Sequence, residues 1–99
     1  MQNREAEIEG LEKGFRASVM TEIGRYRAKN GDLNTVPQFI SALGVVRETY
    51  ARKFASLRAE PENQGRTEKL IDLTEAKIER QFKDEVERAT RTGVVDFDI

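Results

Sequence analysis

From Thr67 to Thr90 the apolar side chains Ile71, Ile78, Phe82, Val86 and Ala89 keep a three-and-four register, with Leu70 and Leu73 broadening the line. That period is the period of an α-helix, and it cannot serve a strand, whose side chains alternate at every second residue. The same register recurs between residues 4 and 29, at Ile8, Leu11, Phe15, Val19, Ile23 and Tyr26. A third apolar face follows at Val36, Phe39, Ile40 and Leu43, continued by Tyr50, Phe54 and Leu57. Asn30-Gly31 suits a helix C-terminus because both residues tolerate the left-handed conformation. Asn34 or Thr35 suits the next N-terminus, with Pro37 in its first turn. Residues 60–65, EPENQG, read as a loop, and Gly93 ends the last helix. These signals predict an all-α fold of three to four helices in one domain over 1–99. Its long C-terminal helix spans 66–91, with Thr67 as a plausible N-cap.

Glycines leave local choices open in two of the segments. Gly10, Gly14 and Gly24 lie inside the first segment, each costing about 1 kcal/mol against Ala, so that helix can fray or break near Gly14. At Gly44 a positive φ would stop one helix and start another near Arg47; a helical Gly44 would instead leave one helix from Pro37 to Arg58. The β-branched pair Val45-Val46 favours the break.

The charge is unevenly spread. Residues 1–12 form an acidic extension, with Arg4 against Glu5, Glu7, Glu9 and Glu12, while residues 13–58 carry a net +6 and the two ends together −7. A basic centre between acidic ends makes local charge more informative than the total of −1. The chain has no Cys and no His, which removes disulfides, thiolate metal sites and the commonest general base. Carboxylates such as Asp84-Glu85 and the Glu75–Glu79 pair lie among matching cations with no Gly-rich phosphate loop nearby. No enzyme activity, metal or cofactor is therefore expected. No apolar run reaches the roughly 18 residues of a membrane span, and MQNREAEIEG has no signal-peptide apolar region. A cytoplasmic protein without membrane contact is expected.

Residues 35–54, TVPQFISALGVVRETYARKF, carry the one resemblance in the chain. Val36, Phe39 and Leu43 suit first-helix core positions, Gly44 and Val45 the turn, Arg47-Glu48-Thr49 the start of a second helix, and Tyr50 its core anchor. The stretch resembles the prokaryotic helix-turn-helix of repressors and mobile-element recombination proteins. Tyr50 to Phe54 is similar to the aromatic pattern of tetracycline-repressor-like motifs. Ile40 departs from the family's small residue and Val46 from its capping Ser. The resemblance implies a trihelical core at about 14–58 that reads double-stranded DNA in the major groove, as a transcriptional regulator or mobile-element accessory factor. It makes Arg47 the contact to guanine, with Glu48 and Thr49 beside it. Arg52, Lys53, Arg58, Arg25, Arg27 and Lys29 would then meet phosphates.

A homodimer would suit such a reader, formed by coiled-coil contact through Ile71, Ile78, Phe82 and Val86, though packing of this stripe on its own domain is the commoner outcome. The acidic tail, 92–99, alternates apolar and acidic residues; a disordered end or an added strand on a partner's sheet both fit. The alternative function is a non-enzymatic helical interaction module, such as a phage or plasmid adaptor, chaperone or inhibitor. It would use one unbroken helix from Pro37 to Arg58 and a protein partner.

Overall fold

The computed structural model describes residues 4–60 and 66–97, with the side chains of Arg4 and Arg66 left aside. Residues 1–3, most of the loop expected at 60–65, and the final Asp98 and Ile99 lie outside the described residues. Three helices make up the described fold: α1 (Arg4–Arg27), α2 (Thr35–Ala59) and α3 (Arg66–Thr92). They run side by side in a bundle 49 Å long and about 20 Å across. Each helix packs on the other two.

The expected registers supply the core. Ile8, Phe15, Val19 and Ile23 of α1, Phe39, Leu43, Phe54 and Leu57 of α2, and Ile71, Ile78 and Ala89 of α3 are all buried. Phe15 meets the ring of Tyr50 edge-on at 5.6 Å, and Tyr26 meets Phe39 at 6.0 Å. Leu70 packs on this core, but Leu73, expected to widen the α3 stripe, is 64% exposed. Thr67 lies within α3 rather than capping it.

The break expected at Gly44 does not occur. α2 runs through Gly44, Val45 and Val46, and the described residues with positive φ are Gly31 and Gly93 alone. The physical reason is the phase of the stripe. Phe39, Leu43, Val46, Tyr50, Phe54 and Leu57 follow one another at spacings of four, three, four, four and three, so a continuous helix keeps all six against α1 and α3. Each large apolar side chain buried is worth roughly 1.5–3 kcal/mol, against about 1 kcal/mol for a helical Gly. The glycines of α1 do not break it either. At Gly14 the small residue has a positive use: a Cβ there would lie 2.7 Å from the Tyr50 hydroxyl.

The ends of the helices follow the sequence more closely. Gly31 (φ 105°) turns the chain after α1, and Gly93 (φ 72°), whose N–H donates to the Ala89 carbonyl, turns it after α3. Asn34 occupies the N-cap position of α2 without a side-chain cap bond, and the buried Thr35 hydroxyl donates back to the Lys29 carbonyl at 2.7 Å.

Residues 94–97 of the tail, for which disorder or pairing with a partner strand was expected, fold back on the chain's own α1 end. Val95 is buried, and the Asn30 side chain grips its backbone twice: Nδ2 donates to the Val95 carbonyl at 2.7 Å and Oδ1 accepts from its N–H at 3.0 Å. Arg27 pairs with Asp96 at 3.0 Å and lies over the Phe97 ring.

Gly44→Ala should raise the stability to urea unfolding by about 0.5–1 kcal/mol, because the position is helical and nothing lies within 4 Å of a new Cβ. Gly14→Ala should gain clearly less, and Tyr50→Phe should recover part of the difference. A loss of stability at Gly44→Ala would mean that the residue needs positive φ.

Candidate functional site

The six α2 residues assigned to DNA lie on different sides of that helix. Helical spacing puts Arg47 and Arg58 about 20° apart on the flank of α2 that faces α3, Lys53 on the opposite flank, and Glu48 and Arg52 on the outward side. Arg47 Nε donates to Glu79 Oε1 of α3 at 2.6 Å, and its guanidinium lies 4.9 Å above the Phe82 ring. Arg58 Nη2 lies 2.6 Å from Glu75 and 2.5 Å from Asp72, both on α3. These bonds, Glu75 first and Asp72 second, hold the Arg58 pKa above the ordinary arginine value. The stability linked to protonation of Arg58 itself is therefore fully present below that ordinary value and is lost as pH rises past the raised one.

The other cations are also engaged. Arg52 pairs with Glu48 at 2.7 Å and Arg25 with Glu22 at 3.5 Å, while Thr49 donates to the Val45 carbonyl. Lys53 sits over Tyr50 and Lys29 over Tyr26. The basic middle read from the sequence is thus largely met by the chain's own carboxylates and rings.

The residues assigned to a dimer contact lie in the intramolecular core. Ile71 and Ile78 are buried, and Phe82 and Val86 are half-buried against the same cluster. Their stripe is covered by α1 and α2 of the same chain.

A concavity that the sequence reading missed lies between α1 and α3, with a volume of about 390 Å³. Its floor is apolar: Val19, Met20 and Ile23 from α1, Ile78 from α3, and Phe97 from the returning tail. Met20 is 53% exposed, one of the few large apolar side chains open to solvent. The α1 rim carries Glu12 and Arg16, which pair with each other at 3.3 Å. On the α3 rim Lys77, Arg80 and Asp84 have no ion pair among the described residues, although Arg80 and Asp84 are four apart. Asp72, Glu75 and Glu79 on the α2-facing side of α3 are all paired, whereas Lys83, Glu87 and Arg91 on its open side share with the rim charges the lack of an ion pair among the described residues. The sequence held one trace of the groove: Met20 follows Glu12 and Arg16 at four-residue steps, an apolar side chain ending a charged row.

No group of His, Cys, Asp and Glu placed to hold a metal occurs among the described residues, and no helix there is long and apolar enough to cross a membrane. Comparison with protein-family models, with characterised proteins and with solved structures finds no match.

Arg58→Ala should lower stability by about 0.5–1 kcal/mol, because it removes two partly exposed pairs to α3, whereas Arg52→Ala on the open face should cost about 0.3 kcal/mol or less. Urea titrations at low and high salt check both; equal losses would mean that the α2–α3 pairs carry no special weight.

Proposed function

We propose that the chain is a non-enzymatic helical interaction module that docks a protein partner in the groove between α1 and α3. One observation carries this reading: the exposed Met20 and the half-buried Phe97 lie in a concavity whose rim charges Lys77, Arg80 and Asp84 have no ion pair among the described residues. Partner interfaces join a dewetted apolar centre to a polar rim, and complementary charges there set specificity and encounter rate. A flat, solvated helical face would have neither the cavity nor an exposed Met in its lining.

The reading of duplex DNA by a helix-turn-helix has less support. Its recognition helix would begin at Arg47, which instead lies mid-helix with its guanidinium held by Glu79 and stacked on Phe82. Phosphate binding would first have to break that pair and those of Arg58 and Arg27.

A photo-crosslinking side chain placed at position 20, and another at the outward position 49, separates the two readings in extracts of the source cells. Discrete protein adducts are expected from position 20 and not from position 49, and they should vanish in the Lys77→Glu/Arg80→Glu variant. Fluorescence anisotropy with random duplex DNA should stay flat at low salt. Equal adducts from both positions, or micromolar duplex binding that falls steeply with salt, would overturn the proposal.

A further inference from the structure

We infer that the occupant of the α1/α3 groove is a single amphipathic helix of the partner, which completes a four-helix bundle and carries a basic residue followed, four and seven positions later, by acidic ones. This rests on the interaction-module reading above and adds the chemistry of the partner.

The backbone of the groove selects a helix. Both walls are α-helices whose peptide groups are bonded within the helix, so neither wall offers an incoming chain a strand edge. An extended peptide lying on Met20 and Phe97, the apolar lining side chains open to solvent, would lose water from its N–H and C=O groups without gaining partners for them. A helix brings its own hydrogen bonds and needs only an apolar stripe. The wall from Glu12 to Ile23 is about 16 Å long, the length of three helical turns. Two neighbouring walls of a bundle present the seam that a fourth helix fills in an up-and-down arrangement.

Charge selects the pattern. Along α3, Lys77 and Arg80 make one end of the rim positive, and Asp84, about a turn beyond Arg80, makes the next stretch negative. Among the described residues none of the three is neutralised by an ion pair. The α1 rim asks for less, because Glu12 and Arg16 already satisfy each other. Up-and-down packing runs the fourth helix antiparallel to α1 and α3. Read in its own direction, it then meets Asp84 first, Arg80 one turn later and Lys77 three residues after that. A Lys or Arg at the first position, with Glu or Asp four and seven residues on, answers all three.

The test uses the full chain and two synthetic helical peptides of about 18 residues. Both carry leucines on a three-and-four stripe. One places Lys, then Glu four and seven residues later, along one flank; the other exchanges Lys and Glu. Isothermal titration should show the first peptide binding about tenfold more tightly or better, a difference that complementary charge pairs commonly supply. In the Lys77→Glu/Arg80→Glu/Asp84→Lys variant the preference should invert, and Met20→Glu should weaken both peptides. Circular dichroism confirms that each variant keeps its helices, as these side chains are on the surface. Equal affinities, an unchanged preference in the charge-reversed variant, or no binding of either peptide would overturn the inferred pattern. If position-20 adducts form while the peptides show no preference, the partner chemistry falls and the interaction reading stands; if neither appears, both fall.

Discussion

Everything else in this fold depends on α2 staying helical across Gly44. Phe39 and Leu43 lie before that residue, Tyr50, Phe54 and Leu57 after it, and all pack on the same two neighbours. A left-handed residue between them would rotate the second half of the stripe out of register. The chain accepts a helical Gly at about 1 kcal/mol because the alternative exposes side chains worth several times that. With α2 straight, the three helices have matching lengths of 24, 25 and 27 residues, and the bundle can bury one contiguous core. Without that continuity the long C-terminal helix would have only half a wall to pack on.

Continuity also decides the fate of the charges. A straight α2 sets Arg47 and Arg58 three turns apart on one flank, opposite Glu79, Glu75 and Asp72. A basic stretch that looks free for phosphate in sequence becomes one side of an interhelical seam. Solvated pairs of this kind contribute little each; the apolar stripe chooses which flank of α2 meets α3, and the pairs form there. That choice leaves the far side of α3, with Lys77, Arg80 and Asp84, facing the groove beside α1.

The fold was largely legible and the site was not, for different physical reasons. Helical periodicity reports burial directly, so Ile8, Phe15, Phe54 and Ile71 could be assigned to the core from spacing alone. At Gly44 a local breaker is outweighed by the phase that runs through it, since Val46 and Tyr50 keep the register that Leu43 leaves. The return of the tail depends on Asn30 and Val95, 65 residues apart, and no local pattern announces such a contact. The groove is a product of three separate segments, α1, α3 and Phe97, and only Met20 among its charged neighbours hinted at it.

The most direct test of the central claim is backbone NMR across Leu43 to Arg47. An unbroken α2 requires helical Cα shifts at Gly44, Val45 and Val46 and slow amide exchange for these residues, comparable with Leu43 and Phe54 on either side. Coil-like shifts with fast exchange confined to Gly44–Val46 would contradict it, and would return the chain to two short helices with a turn between them.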